Sequence, residues 1–183
     1  AVLEDQAQFF RSVDYQRRLW QEYPDTPKVT SAYFALSQTL YRKAAAAPEL
    51  AEKARKAQQR FRQKETGTEE ETDYPDTEVE MLTAAGEVLQ RFLTLYPKNP
   101  LTDNAAFSMA NALLDLKQYN TMIQRCRAYK KRFPESKFSS SFQYMIALAH
   151  FWKSNYADAL ETAKVVAEGE SKDRDYARYI VAQ

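Results

Sequence analysis

Tyr96-Pro97-Lys98-Asn99 and Phe133-Pro134-Glu135-Ser136 stand 37 residues apart, and each closes an amphipathic helical stretch. Tyr119 and Tyr156 keep the same interval, so the last two units agree at two separate punctuation marks. Self-similarity at a period of this size marks stacked helix pairs, in which no unit can bury its apolar face alone. Two further aromatic–proline steps fall outside the period. Tyr23-Pro24 reads as the end of a degenerate unit, whereas Tyr74-Pro75 precedes a helix and closes nothing.

Working outward, apolar residues recur at helical spacing. Helix 100–116 carries Leu101, Ala105, Met109 and Leu113, and a turn at Lys117-Gln118 leads to helix 119–132 with Met122, Ile123, Cys126 and Tyr129. Helix 137–153 carries Phe138, Phe142 and Ile146; Ser154-Asn155 turns the chain into helix 156–168, and 172–183 opens another helix. Upstream, helices are expected at 3–22, 28–46, 48–64 and 77–95. Pro48 suits an early helical position, and Thr77 with Glu80 three residues later reads as a capping box. Gly67, the run Glu69-Glu70-Glu71 and Asp73-Tyr74-Pro75-Asp76 make 65–76 an acidic loop or insertion. The chain thus divides into degenerate helical repeats at 1–64, that loop, and an array at 77–183. Connections this short make successive helices antiparallel neighbours. The final helix lacks a mate, so the array is expected to continue beyond the chain end or to self-associate there with a second copy.

Composition bounds the function. Three glycines in 183 residues, with 44% hydrophobic and 28% charged residues, suit an all-helical folded chain. A net charge of +1 excludes a chain-wide polyanion binder. No apolar run is long enough to span a bilayer, and no signal-peptide pattern opens the sequence. Ala1 in place of Met reads as a processed form or an excised fragment. Cys126 is the single cysteine, which excludes an intrachain disulfide and a thiol pair for metal and leaves the redox compartment open.

Residues 106–134 resemble a tetratricopeptide repeat, with Ala110 as the small residue of the first helix, Tyr119 at the turn and Pro134 closing the unit. Met122 replaces the usual alanine of the second helix. The next unit is more similar, with Ala147, Tyr156, Ala159 and Ala163, and Asn155-Tyr156-Ala157-Asp158-Ala159-Leu160 is its strongest phrase. Small side chains let two helices approach to about 8–10 Å. The tyrosine adds apolar area with a hydroxyl at the solvent edge, and the proline stops the second helix. Two departures stand out: Lys117 and Ser154 occupy the turn-glycine position, and the period exceeds the family's 34 residues by three. The longer spacing with a Tyr-Pro-x-Asn/Ser step is similar to repeats of bacterial cell-envelope proteins of this family. The resemblance covers 77–183; before residue 65, Ser37 holds the small position but no turn tyrosine follows.

The resemblance implies an all-α, right-handed solenoid of stacked antiparallel helix pairs. It also implies a non-catalytic interaction module that binds a protein or peptide, uses no cofactor, and belongs in a bacterial periplasm or cell envelope. It assigns the concave groove to the first helix of each pair, at Phe34, Gln38, Tyr41, Phe107, Asn111, Leu114, Asp115, Tyr144, Leu148, Phe151, Trp152 and Tyr179. Flat aromatic side chains give large contact area at low entropic cost. Phe107, Tyr144 and Phe151 can equally belong to the packing between repeats. The family's chaperone-tail clamp is not carried over, because Phe107 stands where a clamp lysine belongs.

No catalytic constellation emerges. His150, the only histidine, falls on the core-facing side of its helix and reads as a satisfied core or helix-edge histidine. Cys126 reads as packing. Asp73, Asp76, Glu78 and Glu80 lack the spacing of a calcium loop, so no metal site is expected. The basic stretch Lys53, Arg55, Lys56, Arg60, Arg62 and Lys64, and the cluster Arg125, Arg127, Lys130, Lys131 and Arg132, read as solvated faces. Two alternatives stay open: a scaffold domain positioning a neighbour in a larger envelope enzyme or transport assembly, and a helical-repeat RNA binder.

Overall fold

The computed structural model of the chain describes residues 9–23, 26–62 and 75–183. The expectations for residues 3–8, Pro24, Gly67, Glu69-Glu70-Glu71, Asp73 and Tyr74, and for the side chains of Arg60, Arg62 and Lys64, lie outside the described residues. All regular structure among the described residues is helical. The chain divides into two compact units, Ala1–Phe92 and Leu93–Gln183, so the division falls in the last turn of a helix that begins at Glu78.

In the first unit, α1 (Phe9–Glu22) buries Phe9, Phe10 and Val13, and the two phenylalanine rings meet edge to face at 5.1 Å. The second helix, α2 (Pro27–Lys43), starts on a proline, whose missing N–H costs nothing in the first turn. Its Val29, Tyr33, Leu36 and Leu40 are spaced by four, three and four residues, and all are buried. The expected run to residue 46 ends sooner: Ala44–Ala46 tighten into a 3₁₀ turn, and α3 (Ala47–Arg62) follows directly with Pro48 in its first turn. Its buried Ala47, Leu50, Ala51 and Ala54 keep the helical interval. In α4 (Glu78–Leu95) the capping box is present: the Glu80 N–H donates to Thr77 Oγ1 at 3.1 Å, and Glu80 Oε2 accepts from the N–H groups of Thr77 at 3.3 Å and Asp76 at 2.9 Å. Phe92 joins α4 to α2, with its ring 6.2 Å from those of Tyr33 and Phe34.

The second unit holds α5 (Thr102–Asp115), α6 (Tyr119–Arg132), α7 (Ser139–Trp152), α8 (Tyr156–Ala167) and α9 (Arg174–Ala182). Each packs on the next, and α7 also touches α5 and α9. Its joints repeat. At the end of α5, Gln118 N–H donates to Leu113 O at 2.8 Å and Lys117 N–H to Leu114 O at 2.9 Å. At the end of α7, Asn155 N–H donates to His150 O and Ser154 N–H to Phe151 O, both at 2.9 Å. Both are Schellman caps, which require a left-handed residue. Lys117 and Ser154 supply it at φ 56° and 62°.

The aromatic–proline steps repeat as well. Asn99 Oδ1 accepts from the Leu101 N–H at 2.9 Å, and Ser136 Oγ accepts from the Phe138 N–H at 3.1 Å. These side-chain turns restart the chain as a helix after each proline. Arg132 ties the end of α6 to the first step, donating to Pro97 O at 3.2 Å.

Small residues let α7, α8 and α9 close on one another. Ala147, Ala159, Ala163 and Ala177 are fully buried with Val166 and Ile180 in one cluster. In α6, Met122 is fully buried, filling its site as an unbranched, flexible side chain can.

Candidate functional site

Three of the twelve residues that the resemblance assigns to a groove lie in the first unit. Phe34, Gln38 and Tyr41 share one side of α2 and are half-buried, and the Phe34 ring is held against Phe92.

The other nine lie in the second unit, on α5, α7 and α9. Phe107 is half-buried and stacks flat on Phe138, with centroids 4.4 Å apart and ring planes 8° from parallel. The Lys172 ammonium lies over both rings, 5.4 Å from one centroid and 5.5 Å from the other. One full period after Phe107, Tyr144 meets Tyr176 at 6.0 Å. Burial, with Asp173 and Tyr176 alongside, raises the Tyr144 pKa, so its hydroxyl stays a hydrogen-bond donor. Leu148 and Phe151 pack on the α7–α8–α9 core with one side, and Phe151 meets Trp152 and Tyr156 edge to face at 5.8 Å. Trp152 is 57% exposed and Tyr179 63%. Asn111 turns back to donate to Phe107 O at 3.1 Å; Leu114 is half-buried and Asp115 exposed.

Phe107, Tyr144 and Phe151 are each half-buried, packed on neighbouring rings or on the core with part of the side chain left to solvent. Phe138, Lys172 and Tyr176 belong to the same face although the groove assignment omits them. Phe138 and Leu101 are 37 residues apart, so carrying the period to the residue just before each helix marks that position. The place of Lys172 comes only from the loop that folds over the stack.

His150 is buried, but it is not the satisfied histidine expected from the sequence: its Nδ1 makes no hydrogen bond, and Asp158 Oδ2 lies 3.5 Å away. Burial holds its pKa below the usual histidine range, assisted by Arg127 and Lys153 and opposed by Asp158. Cys126 is buried, and desolvation pushes its thiol up to about 12.

The described cations of α3 are committed within the fold. Lys53 pairs with Glu49 and Lys56 with Glu52, while Arg55 donates to Asp76 at 2.7 Å. The hydrogen bond from Arg55 holds the Asp76 carboxyl below its usual range. Asp76 and Glu80 thus serve an ion pair and a helix cap. No group of three metal-capable side chains comes together among the described residues, and no helix among them is long and apolar enough to cross a membrane.

The arrangement offers contact area, one ammonium and phenolic hydroxyls. No protein-family model matches the chain, and no curated protein matches it.

Proposed function

We propose that this chain is a non-catalytic interaction module of tetratricopeptide type, a right-handed solenoid of antiparallel helix pairs whose first helices present an aromatic face to an extended peptide or partner segment. The observation that carries the reading is the 37-residue repetition of joints, Lys117 with Ser154 and Asn99 with Ser136, which sets Phe107 and Tyr144 at equivalent places. Rigid aromatic anchors beside a polar rim are the usual carriers of binding energy. The paired cations of α3 speak against the RNA-binding alternative, which needs an uncommitted basic stripe. A bacterial envelope setting, like the scaffold role, rests on the resemblance.

Selection of peptides from a random library tests the reading. Selected peptides are expected to lose at least about tenfold in affinity, or 1.4 kcal/mol, in Tyr144→Ala and Trp152→Ala, with Glu49→Gln unaffected. Peptides that bind these variants as well as the parent chain would remove the groove assignment.

A further inference from the structure

The geometry points to a second binding site, turned about 100° around α7 from the aromatic face, for a small zwitterion: one ammonium and one carboxylate beside a short apolar group. Helices α6, α7 and α8 line an open hollow of about 260 Å³. Gln143 and His150, each one residue before a groove residue, form its α7 side. Arg127 of α6 supplies a cation, while Asp158 and Glu161 of α8 supply two carboxylates, with Thr162 beside them.

These opposite charges do not satisfy one another. Neither Arg127 nor Glu161 has an ion-pair partner within reach among the described residues, and Asp158 approaches only His150. Near the surface of a protein, unlike charges that face a common space without closing on each other leave room for a group between them. His150 adds an independent sign. The residue is 8% exposed, yet its Nδ1 has no hydrogen-bond partner. A buried polar atom left unpaired marks a place where a partner is missing.

The charges on the lining choose the ligand. A lone anion would meet Arg127 but also Asp158 and Glu161. A lone cation would meet the carboxylates but also Arg127, with Lys153 close enough to act on His150 and Lys130 donating to Gln143 Oε1. His150, Asp158 and Glu161 share the lining but are not grouped so as to hold a metal ion, which disfavours a divalent ion. A zwitterion meets these charges: its carboxylate accepts from the Arg127 fork, and its ammonium donates to Glu161 and to Asp158, beside the unpaired Nδ1 of His150. Val165, 63% exposed and part of the same lining, offers the apolar contact. The volume corresponds to roughly nine waters at about 30 Å³ each, the size of an α-amino acid and below that of a drug-sized ligand.

His150 is the only histidine, so its imidazole gives one unobscured NMR signal in the whole chain. L-leucine serves as the probe, with 3-methylbutanoate carrying only the anion, 3-methylbutylamine carrying only the cation, and sodium chloride as an ionic-strength control. L-leucine is expected to shift the imidazole signal saturably below about 10 mM, with each single-charge analogue at least tenfold weaker. Glu161→Gln and Arg127→Gln, both at exposed positions that leave the core intact, are each expected to weaken L-leucine at least tenfold, whereas Tyr179→Ala leaves it unchanged. No saturable shift, an equal response to either analogue or to salt, or full affinity in both charge variants would overturn the assignment.

Discussion

Lys117 and Ser154, 37 residues apart, close two different helices in the same left-handed backbone conformation, at φ 56° and 62°. In each case the same pair of hydrogen bonds returns to the last turn of the helix. A side chain with a Cβ is strained there, and glycine is not. Lys117→Gly and Ser154→Gly should therefore each raise stability by about 0.5–1 kcal/mol, read as a rise in the denaturant midpoint. Ser154→Val should lower it. A drop on both glycine substitutions would mean that the turns are not held by their backbone bonds.

Ala159 is buried against Ala147 and Ala163 where α7 and α8 pack closely. Ala159→Trp should overpack this crossing and cost about 1–3 kcal/mol. An unchanged melting temperature would take Ala159 out of the contact.

Thr77 caps α4 through the Glu80 N–H, and Glu80 returns the bond. Thr77→Ala should cost about 0.5–2 kcal/mol, whereas Thr77→Ser should stay close to the parent. Urea denaturation of all three forms checks the order.

Acid should weaken the second unit through His150. Burial lowers its pKa in the folded chain, with Arg127 and Lys153 acting in the same direction and Asp158 against. Below the ordinary histidine value of about 6.5 the unfolded chain then binds more protons than the folded one. The stability due to neutral His150 is complete above that value and is lost as pH falls towards the lowered one. His150→Gln should flatten this part of the profile. A parent chain whose stability rises on going from neutral pH to about 5, with the variant showing no such rise, would reverse the sign assigned to burial.

Cys126 should resist thiol reagents while the chain is folded. The thiolate is the reactive form, and desolvation pushes the thiol up to about 12. At mildly alkaline pH, Ellman's reagent should react at the rate of unfolding; immediate reaction of the folded chain would contradict the burial.

Features that depend on a few neighbouring residues were readable in the sequence. Thr77 and Glu80 sit three apart, and the capping box follows from that interval alone. The alanines at 147, 159 and 163 fall where the resemblance asks for small residues, and they are buried together. The end of α2 was less readable, because Ala44–Ala46 have high helical propensity and tighten only in the company of α3. The geometry of the aromatic contacts was not legible. Phe138 is distant in sequence from Phe107, and only the packing of α5 with α7 lays one ring flat on the other. The unpaired Nδ1 of His150 was equally hidden, since helical periodicity tells which way a side chain points and nothing about what meets it.

Two bonds between hydroxyl and carboxylate have opposite polarity. Ser136 Oγ donates to Asp103 Oδ2 at 2.8 Å, joining the step before α7 to the start of α5. Ser141 Oγ donates to Asp173 Oδ2 at 2.6 Å, joining the step before α9 to the start of α7. Positions 136 and 173 are one period apart, yet one is the donor and the other the acceptor. Exchanging the two residues would set carboxylate against carboxylate at one joint and leave two hydroxyls at the other. Each connecting step is thus keyed to one helix start and rejects the other, so segments of equal length and shape are not interchangeable parts.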